Sequence, residues 1–217
     1  MNELDDFFRM QRLMQKRQDA FGDASALVSY RFEADNGTVP QLEHAKRYVA
    51  HWEEMREQDL GLLFWGRPGN GKTFAAGCIA NALLESEALH APTVRMTTFG
   101  TILNQLPGMT AQDKEWYLEG FRTCDLLILD DFGMERRTEY AQEQVFNIID
   151  GRYVSRKPLI VTTNLSLNEL KHPADMVQQR IFDRVLEMCV PVCFDGESLR
   201  RDKARAKMQL YKQLTGA

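Results

Sequence analysis

No run of apolar residues in this 217-residue chain approaches the roughly 18 that a bilayer-spanning helix needs. The opening MNELDDFFRM places acids where a secretory signal carries bases, and no apolar stretch follows it, so no signal peptide is expected. Cysteine is scarce. Cys78 and Cys124 fall in apolar runs, and Cys189 and Cys193 stand four apart with no histidine near them. No C-x-x-C pair occurs, which argues against a zinc site and leaves all four as expected reduced structural thiols. Excess base is missing too. Lys and Arg number 27 against 31 Asp and Glu, a formal net charge of -4, so the overall charge carries no nucleic-acid signal. Repeats and low-complexity segments are absent. What remains is ordinary for a globular chain, with 44% hydrophobic and 27% charged residues, which excludes a mainly disordered protein. The expectation is one α/β domain with a short appendage, soluble and cytoplasmic.

Leu4, Phe7, Phe8 and Met14 recur near helical spacing and predict a short amphipathic helix over 3–18. Residues 21–40, with Gly22, Asp35, Asn36, Gly37 and Pro40, read as a connector. Leu42, Ala45, Val49 and Trp52 then mark one stripe of a second helix. Beyond it, short apolar runs at 60–65, 93–97, 125–130, 159–163 and 190–194 alternate with helical patterns at 72–86, 98–121, 139–155 and 173–188. Continuous apolar strands separated by helices predict a parallel sheet covered on both faces. Ligands of such sheets sit beyond the carboxyl ends of the strands. The tail from Arg200 to Lys212 carries six bases against Asp202 alone, which fits a solvated helix face or a contact with phosphates.

One strand end carries Gly66-Arg67-Pro68-Gly69-Asn70-Gly71-Lys72-Thr73, which matches G-x-x-x-x-G-K-[ST] at every position between a strand and a helix. Glycines let the backbone curl so that successive N–H groups face one concavity, and the helix start adds its positive dipole end. Lys72 supplies a charge to the β- and γ-phosphates of ATP, and the Thr73 hydroxyl a ligand for Mg²⁺. The cofactor-binding set is therefore Arg67, Pro68, Gly69, Asn70, Gly71, Lys72, Thr73 and the adjoining Phe74.

A second apolar strand ends in two acids, Asp125-Leu126-Leu127-Ile128-Leu129-Asp130-Asp131, the Walker B pattern. Asp130 is expected to hold Mg²⁺ with Thr73, and Asp131 to orient the attacking water. P-loop ATPases more often carry Glu at the latter place. A third strand ends Val161-Thr162-Thr163-Asn164, where Asn164 either reaches the γ-phosphate and water or caps the next helix.

These motifs, with Gln179-Arg180-Ile181-Phe182-Asp183-Arg184 and Gly196-Glu197-Ser198-Leu199-Arg200, resemble those of AAA+ ATPases of the DnaC/DnaI/IstB group, over about residues 28–202. The resemblance implies a three-layer α/β/α P-loop fold with a five-stranded parallel sheet of order 5-1-4-3-2 and little or no lid domain. It implies residues 1–40 as an N-terminal helix and linker, 41–202 as the AAA+ domain with a helical insertion at about 98–123, and 203–217 as a basic C-terminal helix. It makes Asn164 the sensor 1 residue. Arg184 becomes the arginine finger acting on a neighbouring subunit's ATP, with Arg180 an alternative one turn earlier, and Arg200 the sensor 2 residue. Tyr30 and Phe32 fall where AAA+ linkers border the adenine.

The resemblance further implies self-association through ATP at subunit seams, hydrolysis there, and loading of a replicative DnaB-type helicase onto single-stranded DNA. An IstB-like transposition helper on duplex DNA and a nucleotide-gated binding module stand as alternatives. The group's usual separate N-terminal helicase-gripping domain is not expected within the roughly 40 residues ahead of the first AAA+ helix, where the Leu4/Phe7/Phe8/Met14 helix either recruits the partner or packs on its own domain. In the insertion, Lys114, Arg122, Trp116, Tyr117 and Phe121 either contact single-stranded DNA or pack the helices together, and Arg95, Arg136 and Arg137 are weaker DNA candidates. Arg152 and Arg156 face a neighbouring protomer or solvate a helix end.

Overall fold

The computed structural model describes residues 3–35, 37–86, 91–134, 138–196 and 198–216. Arg136, Arg137 and Glu197 lie outside the described residues. Five parallel strands, β1 (Gly61–Trp65), β2 (Val94–Thr98), β3 (Leu126–Phe132), β4 (Leu159–Thr163) and β5 (Cys189–Cys193), form one sheet in the order β2-β3-β4-β1-β5. That is the expected order read from the other edge.

Strand residues alternate between two cores. Leu62, Phe64, Leu126, Ile128 and Ile160 face one side. Leu63, Leu127, Leu129, Leu159 and Val161 face the other. The first face is covered by α1 (Glu3–Phe21), α2 (Leu42–Ala50) and α4 (Lys72–Leu84). The second is covered by α5 (Phe99–Gln105), α6 (Ala111–Thr123), α7 (Glu139–Ser155), the short α8 (Leu167–Lys171) and α9 (Met176–Met188). With both faces buried, truncating one central residue such as Leu127 to Ala costs about 2–5 kcal/mol.

The stripe from Leu42 to Trp52 belongs to two helices, because the chain breaks at His51 before α3 (Trp52–Glu57). The expected helix over 98–121 breaks at Leu106–Gly108 into α5 and α6, each capped by a threonine, Thr98 and Thr110. Helix α1 is anchored by its carboxy-terminal half only. Ala20 and Phe21 are buried, and Glu85 at the end of α4 receives both Arg17 and Arg31. Helix α10 (Leu199–Thr215) closes the chain.

Candidate nucleotide site

The strand register brings the motifs to one edge. Trp65 pairs with Thr163, and Thr98 with Asp130, so Gly66, Asp130 and Asn164 leave neighbouring strands at the same end. Gly66, Gly69 and Gly71 have φ of 129°, 89° and 92°, values that L side chains rarely adopt. A Cβ at Gly66 would meet the Phe194 carbonyl oxygen at 2.4 Å, and one at Gly69 would meet Ser198 Oγ at 2.2 Å. The loop therefore curls only with glycine at these places, and α4 begins from Gly71 in the left-handed region.

Lys72 is buried, and its ammonium donates to the carbonyls of Gly66 at 2.7 Å and Arg67 at 2.8 Å. Burial pulls its pKa below the ordinary lysine value, against the pull of Asp131 and Asp130. Thr73 Oγ1 donates to Asp130 Oδ1 at 3.0 Å, so a hydroxyl and a carboxylate from two elements already share one point. Asn70 does something else. Its amide donates to the carbonyls of Phe194 and Gly196, and the Leu199 N–H donates to the Gly69 carbonyl, which ties the loop to the root of α10. The exposed Arg67 contributes its carbonyl to Lys72 and does not line the cavity described next.

Simple alternation would send Asp130 and Asp131 to opposite faces of the sheet. A bulge prevents this. Leu129 pairs with Val161 but Phe132 pairs with Thr163, so β3 carries one extra residue, and Asp131 takes φ 54°. Phe132 is thereby returned to the core while Asp131 faces the cavity. Thr162, which the sequence did not single out, holds this geometry. Its hydroxyl donates to Asp130 Oδ1 at 2.5 Å and accepts from the Asp131 N–H at 3.0 Å. The signal was a threonine in the central strand beside the acidic strand, two residues before Asn164.

A cavity of about 800 Å³ opens over these groups, lined among others by Tyr30, Lys72, Thr73, Asp131, Asn164 and Arg200. Tyr30 packs edge-on to Phe74 at 5.2 Å. Gly77 of α4 makes room for that ring, since a Cβ there would lie 2.6 Å from Tyr30. Phe32 packs against the core instead. The curled glycines, the paired Thr73 and Asp130 oxygens and the cavity's size together fit a nucleoside triphosphate with a hard divalent cation.

A family model described as IstB-like ATP binding protein matches residues 6–207. The chain belongs to that family. It is 27% identical over 211 residues to the replicative helicase loader DnaI of Bacillus subtilis, covering 91% of this chain and 66% of DnaI. It is 28% identical over 176 residues to the replicative helicase loader DnaC of Escherichia coli K12, covering 79% and 67%. The chain thus spans about two thirds of the length of these curated relatives. Among solved structures, that of DnaI matches with TM-score 0.65 at 20% identity, over 84% of this chain and 98% of that one. The DnaC helicase loader matches with TM-score 0.61 at 23% identity, over 77% and 96%. These likenesses show that the chain shares the fold of those two structures.

Several other candidate residues of this IstB-like protein have partners within their own chain. Arg184 of α9 is held by its own chain: it pairs with Asp150 at 2.7 Å and lies over the rings of Phe146 and Tyr153. Arg180 also lies over Phe146 but is exposed. Arg152 faces no neighbour. It is wholly buried, and Arg156 pairs with Asp59. In the insertion Phe121 is buried, with Tyr117 edge-on to it and Arg95 over it, so none of the three is a free stacking surface. Trp116, 78% exposed, is the open ring there.

Burial raises the Asp130 carboxyl above its ordinary pKa, partly opposed by the bond from Thr162, with Asp131 adding to the rise and Thr73 countering it. A carboxyl raised on folding stabilises the fold fully below its unfolded pKa of about 4, and that contribution is lost as pH rises through the folded value. Asp130→Asn removes the buried charge. Without nucleotide or Mg²⁺ it is expected to raise the melting temperature at about neutral pH and to flatten the acid side of the stability profile. Differential scanning calorimetry across pH checks this, and a lower melting temperature at neutral pH would refute it.

Proposed function

We propose that this protein hydrolyses ATP at seams between its own copies and uses that cycle to place a replicative DnaB-type helicase on single-stranded DNA. The hydrolytic reading is carried by one observation: the Thr73–Asp130 pair stands under the P-loop, with Asp131 and Asn164 on adjoining strand ends. The loader reading is supported by the similarity to DnaI and DnaC.

In this reading Lys72 exchanges the Gly66 and Arg67 carbonyls for phosphate oxygens, and the loop N–H groups complete the cradle. Thr73 and Asp130 hold Mg²⁺, which when bound offsets charge on the phosphates. Asp131 accepts a hydrogen bond from the attacking water and Asn164 fixes that water's direction. Arg200 contributes charge from the root of α10. Arg184 acts in trans, which requires it to leave Asp150 and Phe146 when a neighbour's site is presented.

Asp131→Asn is expected to keep ATP affinity within about threefold while turnover falls by about a hundredfold or more. Loss of function with binding intact would disfavour a binding module whose turnover is incidental; unchanged turnover would remove Asp131 from the mechanism. The partner is tested by co-elution with the host replicative helicase, with and without ATP, followed by a helicase-loading assay on single-stranded circles. No ATP-dependent co-elution would overturn the loader reading. The family's IstB-like description favours a second reading, a helper acting on duplex DNA with a transposase, and capture of a transposase in place of the helicase would establish it.

A further inference from the structure

The pairing of β3 with β4 leaves Thr162 opposite two residues at once. Leu129 pairs with Val161 and Phe132 with Thr163, so Asp130 and Asp131 together face Thr162. A bulge of this kind puts its extra residue outside the ladder, and buried backbone groups beside it need other partners. Two threonines supply them. Thr162 Oγ1 accepts from the Asp131 N–H at 3.0 Å, and Thr163 Oγ1 donates to the Phe132 carbonyl at 2.7 Å. Both side chains are wholly buried.

Thr162 does one thing more than Thr163. Its hydroxyl proton goes to Asp130 Oδ1, the oxygen that also receives Thr73 Oγ1. A single hydroxyl thus fixes the carboxylate of one acid and the backbone of the next. The backbone bond matters because Asp131 sits at φ 54°, a left-handed conformation that costs energy for a residue with a side chain. Such a conformation persists only where its surroundings hold it. Relaxed to an extended conformation, Asp131 would follow simple alternation and turn its carboxylate away from the cavity. The carboxylate bond matters because the hydrogen-bond partners of a metal ligand set its orientation and its affinity.

We propose that Thr162 is a positioning residue for hydrolysis, whose one hydroxyl holds Asp130 toward the divalent cation and Asp131 toward the attacking water. Thr162 touches neither cation nor water and acts through the two acids. The proposal rests on the reading of Asp130 as the Mg²⁺ ligand and Asp131 as the residue that orients water. It adds that these two roles are not independent, since the loss of one hydroxyl disturbs both.

The test compares Thr162→Val, which keeps the branched shape without the hydroxyl, with Thr162→Ser, which keeps the hydroxyl. Amide hydrogen exchange of the full chain, without nucleotide or metal, is the first measurement. The Asp131 amide is expected to exchange about tenfold or more faster in Thr162→Val than in the native protein. Turnover is the second. In Thr162→Val kcat is expected to fall by about tenfold to a hundredfold and the Mg²⁺ concentration for half-maximal turnover to rise by about tenfold, while ATP affinity stays close to native. Thr162→Ser is expected to recover most of both. Thr163→Val also loses a bond at the bulge and serves as the control for a purely structural loss, and its Mg²⁺ requirement is expected to remain native. Circular dichroism checks folding, and Thr162→Ala carries the same test if the valine variant does not fold. Unchanged exchange at Asp131, a serine variant no better than the valine variant, or an equal rise in Mg²⁺ requirement in Thr163→Val overturns the proposal. Native turnover in Thr162→Val beside lost turnover in Asp131→Asn overturns it too and leaves the reading of Asp131 standing. Native turnover in Asp131→Asn removes that reading, and the proposal with it.

Discussion

Lys72→Ala is expected to lose ATP-dependent stabilisation entirely and to lower turnover by about a hundredfold to a thousandfold, the scale of removing one charge stabiliser from a dry site. The reason is local. Lys72 is the cation that bridges the Gly66 and Arg67 carbonyls at the floor of the P-loop, whereas Arg200 approaches the cavity from the root of α10. The fold itself is expected to survive, because a buried lysine costs desolvation and the alanine adds no charge to the core. Thermal melts report both at once. A ligand at a hundred times its Kd stabilises by about 2.7 kcal/mol, and that gain should vanish in the variant while the melting temperature without ATP stays close to native. If Arg184 acts in trans, mixing Lys72→Ala with Arg184→Ala subunits restores part of the turnover that neither shows alone, since some seams then combine an intact loop with an intact finger. Native turnover by Lys72→Ala alone would refute the P-loop reading. No recovery at any mixing ratio would confine Arg184 to its contacts with Asp150 and Phe146.

Arg152→Met is expected to destabilise the protein by about 3–5 kcal/mol, the range for uncovering buried polar partners. This guanidinium is wholly buried. It donates to the carbonyls of Phe121, Arg122 and Cys124 at 3.3, 3.1 and 2.6 Å, and to those of Asp125 and Pro158. It thus closes the carboxyl end of α6 and the entries to β3 and β4 together. Methionine fills much of the volume but satisfies none of those oxygens. Lysine keeps the charge but directs its donors from one nitrogen, and cannot reach all five carbonyls as the fork does. Arg152→Lys should therefore fall between native and Arg152→Met. The denaturant midpoint measures both, and an unchanged midpoint in Arg152→Met would show that these bonds are dispensable.

Local pattern was enough for much of this protein. Continuous apolar strands alternating with helical stretches specify a doubly covered parallel sheet, because each strand buries both faces. GRPGNGKT between a strand and a helix specifies an anion cradle, because its glycines, lysine and threonine are all within eight residues. Sheet order followed from the family resemblance.

Contacts between distant segments settled the rest. The aim of Asp131 depends on a bulge between β3 and β4 and on Thr162, two strands whose register no single segment contains. Asn70 matches the P-loop pattern, yet its amide serves Phe194 and Gly196, more than a hundred positions away. Arg152 looked like a basic residue at a helix end, where cations are common. Only folding revealed that five carbonyls from three elements converge on it. Arg184 stood in the right motif, but its partners Asp150 and Phe146 lie on another helix. Periodicity reports which face of an element is buried. It does not report which polar atoms meet there, because a hydrogen bond is set by distance and angle between segments that the chain brings together only when it packs.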